Sequence, residues 1–440
     1  MTTTAPLYLP HAYRLYEPGF AQDPHAYYTH MRAHFGDVAP IEISPGVFGH
    51  LVIGYRLALQ LLRDTQTWSK DPTVWVSHLP KDSPVLGMLG PRPNPLFADG
   101  ERHARYRRVI TDSFGRIQPH HLRDLVREIA ALLIGRFAGA GIADLIAQYA
   151  RPIPSYVMNR LFGQPDHAAP RLVTALAGLI EGGENAAAAN AEFEAYMRRL
   201  LALKTGERGH DLTSWIMDHS AGLSPEEVLH HVVLTVGAGQ EPTTNLIANA
   251  LAIMLSDDRY YAGVTNGALA PIHAVHRVLR DEPPMANYAA HYPRHNVRIN
   301  NLSIPAHSLV MVSFAAANAD PQGPGAPLSG EGSHLAWSAG PHACPVKDPA
   351  ILIAVTAIEE ITSRLPDLEL DGRREDLQRR IGPFHTAYRH IPATFTPLTA
   401  LPTTGDRAWP GNPFRTSSTP PDAISPQKPP ACAPSAPPCA

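Results

Sequence analysis

Cysteine is scarce in this chain. There are three in 440 residues, and two of them, Cys432 and Cys439, lie close to the C-terminus. No disulfide framework can be built from that set. Long apolar runs are also missing, for none reaches the ~18 residues needed to cross a bilayer. Charge is not of one sign: 37 Lys and Arg stand against 40 Asp and Glu, which gives no sign of a nucleic-acid surface. No phosphate loop and no dinucleotide fingerprint occurs. Electrons for any redox chemistry would therefore come from separate proteins. The start, Met1-Thr2-Thr3-Thr4-Ala5-Pro6, has no charged n-region followed by an apolar h-region. The expected location is the cytoplasm, without membrane contact.

What is present is a 44% share of hydrophobic residues, enough for a sizeable core. Val38–Ile43, the turn Ser44-Pro45-Gly46 and Val47–Ile53 predict a β-hairpin. Val297–Ile299, Leu302–Ile304 and Ser308–Phe314 predict further short strands. Between these groups helical patterns dominate. Ser224-Pro225-Glu226-Glu227 is a capping box with proline at the first helical position, and it opens a long apolar run to Leu255. Many helices with a few short strands, in no regular β-α alternation, argue against a doubly wound sheet. The fold class is mainly α with small β-sheets. From Pro402 the chain turns rich in Pro, Ser and Thr, a composition that predicts disorder for residues 402–440. No role is expected for Cys432 and Cys439.

The remaining cysteine sits in His334-Leu335-Ala336-Trp337-Ser338-Ala339-Gly340-Pro341-His342-Ala343-Cys344-Pro345. A lone cysteine is usually a small buried hydrophobe. Here, however, a Gly/Pro-rich loop presents it just before an apolar helical run. Asp348-Pro349 reads as N-cap and first residue of that helix, and a helix N-terminus favours an anionic sulfur. Two further segments carry chemistry. In Asp99–Arg108, His103 and Arg107 are i and i+4 and share one helix face, which is either an ordinary basic surface or a site for anions. In Gly237-Ala238-Gly239-Gln240-Glu241-Pro242-Thr243-Thr244, two glycines and a proline inside a helical pattern predict a local opening of the backbone, with a plain kink as the alternative.

Taken together, these residues resemble the cytochrome P450 family, over about residues 10–400. Trp337, Gly340, His342 and Cys344 match its haem-binding loop, with Ser338 and Val346 where glycine is usual. The resemblance implies a mainly helical haem domain, residues 1–401, around a buried haem b. Its iron would be ligated by the Cys344 thiolate, which favours O–O cleavage. Its propionates would be held by His103, Arg107 and His342, with His291 at a position usually occupied by arginine. Phe114 falls at an expected aromatic position. Ala238 and Gly239 match the small residues of the helix that crosses the haem face, and Glu241 matches its acid.

The same comparison shows departures. Pro242 replaces the threonine that hydrogen-bonds oxygen and helps deliver protons. Thr243 lies one residue later, about 100° round an ideal helix, and could serve only in an opened helix. In the family's Glu-x-x-Arg motif, Arg280 matches the arginine but Arg277 stands for the glutamate. A third arginine, before the cysteine, is absent, and Ala319 replaces another. Glu331 is the candidate partner for Arg277 or Arg280. The implied activity is a monooxygenase, fed by a ferredoxin and its reductase, acting on a small apolar or aromatic metabolite. Substrate would sit under residues 70–95 and 165–200. Oxidative coupling, peroxide-driven oxidation and a non-catalytic sensor or partner-binding role are the alternatives.

Overall fold

The computed structural model describes residues 9, 11–181, 186–257, 260, 270–323 and 333–398. The tail from residue 402 and Glu331 lie outside the described residues. Among the described residues, no helix is long and apolar enough to cross a membrane.

Six short strands form one sheet. They are β1 (Tyr13–Arg14), β2 (Val38–Ser44), β3 (Val47–Val52), β4 (Trp68–Ser69), β5 (Asn287–Pro293) and β6 (Val310–Ser313), in the order β1-β2-β3-β6-β5-β4. β2 and β3 are the expected hairpin, pairing Val38 with Val52 and Ile41 with Gly49. Gly46 supplies the turn with a φ of +77°, a conformation open to glycine at no steric cost. Val297–Ile299 and Leu302–Ile304 pair as expected, with Asn300 in the left-handed region at φ +53°. The strand expected over Ser308–Phe314 is shorter. Its Ser313 hydroxyl accepts the Ala316 N–H at 3.0 Å and starts a helical turn, so the chain leaves the sheet there.

Helices make up most of the rest. Those that matter for the site are α1 (Gly100–Phe114), α2 (Pro119–Phe137), α3 (Pro152–Leu161), α4 (Pro225–Met254), α5 (Pro271–Asp281) and α6 (Lys347–Arg364). α4 is the axis of the helical body and packs against α3, α5 and α6. Its capping box is complete: the Ser224 hydroxyl accepts the Glu227 N–H, and the Glu227 carboxylate accepts the Ser224 N–H. Every residue from Thr243 to Met254 is buried. A helix half that is buried all round belongs to a large core, here the cluster that includes Leu246, Leu251, Val275, Ile358 and Leu133.

Glu227 also fixes where α1 lies against α4. Its carboxylate takes both Arg105 Nη atoms at 2.9 Å and the Tyr106 hydroxyl at 2.6 Å. Those bonds, the Arg105 fork first, pull its pKa from 4.5 to about 2 against the opposing effect of burial. A carboxylate with a depressed pKa contributes stability that is fully present above its ordinary 4.5 and is lost as pH falls toward about 2. Glu227→Gln is therefore expected to cost about 1–3 kcal/mol at pH 7. In denaturant titrations, the gap between variant and wild type should narrow as pH falls below about 4.5.

Candidate functional site

The cysteine loop is held by its own backbone. Ser338 N–H donates to Leu335 O at 2.7 Å, Ala343 N–H to Gly340 O at 3.1 Å and Cys344 N–H to Trp337 O at 2.8 Å. Ser338 and Gly340 both adopt positive φ, +62° and +68°. Gly340 has no room for a side chain, since a Cβ there would meet the Leu62 carbonyl oxygen at 2.3 Å. The loop is thus clamped against the end of the helix Tyr55–Arg63. After it, α6 begins at Lys347, two residues earlier than Asp348-Pro349 suggested. Its first intrahelical bond runs from Ala350 N–H to Val346 O, so Pro349 occupies the first turn, where its missing N–H is not needed. Asp348 is not the cap.

Burial pushes the Cys344 thiol pKa up, while the Val346 N–H and the Arg107 charge pull it down. The helix terminus therefore does not by itself make the sulfur anionic, and a metal ion bound there would. Among the described residues, no group of three or more His, Cys, Asp or Glu side chains is placed to hold a metal. Iron at Cys344 requires a ligand that brings its own donors.

α1 and the loop bring histidines together. The rings of His103 and His342 lie 4.0 Å apart, and His103 Nε2 is buried with no partner. His291 is buried on β5, with Nδ1 2.9 Å from Ala289 O. Lys70, just past β4, is buried as well and donates to Ala290 O at 2.5 Å. These groups repel one another's charged forms. Burial, then Lys70, His103 and Arg107, push His342 down to about 2. Burial and Lys70 hold His291 well below its usual value. Burial and Arg107 lower His103. Burial lowers even Arg107, with the Cys344 sulfur opposing it. A cluster of cations and imidazoles, with a buried ring nitrogen of His103 left without a partner, calls for an anion. A haem's carboxylates meet that demand, and Cys344 beside Arg107 meets the iron's. The residues present fit the group.

α4 carries one exposed position between its two glycines. Ala238 is exposed although Val236 and Gln240 on either side are buried. Gly239 has a neighbour within the protein, because a Cβ there would meet Met158 Cε of α3 at 2.4 Å. Its smallness serves helix packing. Contrary to the opening expected at Pro242, α4 is helical through that residue. Pro242 has no N–H, so the Ala238 carbonyl lacks its partner at i+4. Thr243 is buried at 4% exposure. The condition under which its hydroxyl could take over from the missing threonine is not met in this structure.

Glu241 is not a free acid. Its carboxylate accepts Asn245 Nδ2 at 3.0 Å and pairs with the Arg380 guanidinium, while its other oxygen is buried without a partner. Arg380 Nε donates in turn to His385 Nε2 at 2.8 Å, and burial together with Arg380 holds His385 down to about 3. Neither Arg380 nor Lys70 could be read from sequence. Each meets its partner through tertiary packing, and neither stands in a motif.

The altered Glu-x-x-Arg helix has found other partners. On α5, Arg277 pairs with Asp257 at 3.0 Å and Asp281 at 3.7 Å, and Arg280 pairs with Asp281 at 2.6 Å. Asn318 donates to the carbonyls of Leu279 and Arg280 and accepts Leu335 N–H at 2.8 Å, tying α5 to the start of the cysteine loop. Glu282, at the end of α5, takes Arg374 and Arg379.

A helical body with small sheets, one loop cysteine before a helix and a buried cationic cluster beside it together define a haem-thiolate protein. No protein-family model matches the chain. It is 31% identical to the cytochrome P450 monooxygenase PikC of Streptomyces venezuelae over 365 residues, 80% of this chain and 86% of that one. It is 26% identical to a 2-hydroxy-5-methyl-1-naphthoate 7-hydroxylase of Streptomyces carzinostaticus, over 83% of this chain and 93% of that one. Among solved structures, it matches the myxobacterial cytochrome P450 CYP267B1 in complex with myristic acid. That match has a TM-score of 0.76 and 26% identity, covering 87% of this chain and 98% of that one. The chain belongs to the cytochrome P450 family, and it is an oxidoreductase of the monooxygenase type with a haem-iron cofactor.

Gly340→Ala is expected to cost at least about 2 kcal/mol in denaturant unfolding, because it adds both a strained φ and a backbone clash. Gly87→Ala, where nothing lies within 4 Å, should change stability far less.

Proposed function

We propose that this chain oxygenates a small apolar or aromatic metabolite, using haem b and electrons from a ferredoxin and its reductase. The observation that carries the reading is the half-buried sulfur of Cys344 beside Arg107, next to a cluster of donors whose one carboxylate neighbour among the described residues, Asp99, is already engaged. Two relatives support the substrate class. One is named for hydroxylation of a naphthoate, and one solved structure holds a fatty acid.

When bound, haem supplies the iron chemistry that activates oxygen for insertion into substrate. The chain's own residues do the rest. Cys344 would supply the sulfur that holds the iron. His103, Arg107, His342 and His291 receive the carboxylates. Trp337 holds the loop through its carbonyl. Ala238 keeps α4 thin where substrate and oxygen must enter, and Gly239 lets α4 lie close to α3.

Glu241 is the proton carrier, and Arg380 and Asn245 hold it. To reach toward the site, Glu241 must first part from Arg380. With Pro242 in place of a hydroxyl, and Thr243 buried, α4 offers no side-chain hydroxyl to take the proton on from Glu241, and that role would fall to water. General acid–base help of this kind is worth about 10²–10⁴ in rate. The native protein should therefore pass electrons to product inefficiently.

Two measurements test this. The reduced protein with carbon monoxide should show the red-shifted Soret band of thiolate ligation, and Cys344→Ser should abolish it. A wild-type band typical of histidine ligation contradicts the assignment. With a substrate in hand, Pro242→Thr should raise the share of electrons recovered in product several-fold. An unchanged share would mean that the missing hydroxyl does not limit coupling.

A further inference from the structure

Two carboxylates bring two negative charges, and the four residues assigned to them do not match that charge. Three of the four are imidazoles, and of these His291 and His103 are held toward their neutral forms by burial and by the cations beside them. A neutral imidazole donates a hydrogen bond but brings no charge. Of the four, only Arg107 is a lasting cation. At the position where the resemblance calls for arginine, β5 has His291, whose Nδ1 is spent on Ala289 O.

The structure supplies a second cation from the neighbouring strand. β4 pairs antiparallel with β5, Trp68 opposite Pro293 and Ser69 opposite Tyr292. Lys70 is the next residue, and the same register carries it toward His291. Lys70 is 6% exposed, yet its Nζ has one hydrogen bond among the described residues, to Ala290 O at 2.5 Å. An ammonium has three donors, so two remain for a ligand. Its backbone is fixed from the other side. The Lys70 N–H donates to the Asp99 carboxylate at 3.1 and 3.2 Å, and the Ser69 hydroxyl donates to Asp99 at 2.5 Å. Asp99 immediately precedes α1, the helix that carries His103 and Arg107. Arg294 also binds Asp99, at 2.9 Å. One carboxylate therefore sets the spacing between Lys70 and the α1 donors.

We infer that Lys70 is the second cationic anchor for the haem carboxylates, acting from β4 in place of the arginine that β5 lacks. The inference rests on reading this site as a haem seat. It explains why a lysine is buried beside Arg107 and three imidazoles with so little in the protein to pair with it. Burial holds Lys70 down to about 8, with Asp99 the opposing influence. An isolated buried cation is costly to the protein. A carboxylate against it removes that cost only when the cofactor is bound.

The test is haem release from the holoprotein into excess apomyoglobin, followed by absorbance. Lys70→Gln keeps an N–H for Ala290 O and removes the charge, and it should release haem at least about tenfold faster. Lys70→Arg keeps both and should stay within about twofold of wild type. Adding His291→Arg to Lys70→Gln should restore retention, which a purely structural role for Lys70 would not allow. Release from Lys70→Gln at the wild-type rate overturns the inference, and so does equal acceleration in Lys70→Gln and Lys70→Arg. If the wild-type protein takes up no haem, the reading of the site itself fails, before any variant is compared.

Discussion

Burying positive charge without a partner is among the most expensive things a fold can do. This protein does it around His342. Arg107, Lys70 and three imidazoles converge where β4, β5, α1 and the cysteine loop meet. Among the described residues the carboxylate beside Lys70 is Asp99, and it is committed to the Lys70 N–H, Ser69 and Arg294. The imidazoles answer the crowding by staying neutral, which lowers the cost without removing it. The rest of the cost awaits an anion. That constraint ties the fold to its cofactor, because the elements bringing the cations together gain their stability fully only once carboxylates arrive.

The surrounding structure is arranged to hold those elements in place. Glu227, at the N-terminus of α4, clamps Arg105 and Tyr106 of α1. The Arg105 face of α1 is thus fixed to α4 while His103 and Arg107 lie within the site. Asp99 ties the start of α1 to β4. Asn318 ties α5 to Leu335 at the head of the cysteine loop, and Gly340 lets that loop lie on the Leu62 carbonyl. Each contact is local and polar. Together they position Cys344, Arg107 and Lys70 against each other although these residues are far apart in sequence. The usual buried Glu–Arg pair of α5 is replaced by Arg277 and Arg280 on Asp257 and Asp281. The departure at 277 is thus taken up by a rebuilt set of ion pairs.

Much of this was legible in the sequence because it is encoded locally. The hairpin at 38–52, the capping box at Ser224, the cysteine loop and the i, i+4 pair His103 and Arg107 each lie within a short window, and their residue types carry a mechanism. The missed features are of another kind. Lys70 reads as an ordinary surface lysine until β4 pairs with β5. Arg380 is 139 residues from Glu241, and no spacing links them. Ser313 ended a strand early because its hydroxyl found a helical N–H. The effect of Pro242 was misjudged for a physical reason. A proline inside a helix loses one hydrogen bond, but α4 stays helical through it, with every residue from Thr243 to Met254 buried. Propensity predicted an opening, and tertiary packing overrode it.

The central claim is that the buried cations exist to receive the cofactor's carboxylates. The most direct measurement compares binding of iron protoporphyrin IX with binding of its dimethyl ester, which keeps the ring and iron but carries no charge. Hydrogen bonds to charged groups contribute about 1.5–3 kcal/mol each. With two carboxylates lost, the account predicts that the ester binds at least about a hundredfold more weakly. Equal affinity for the two would contradict it, and would mean that apolar burial and the Cys344 sulfur alone hold the cofactor.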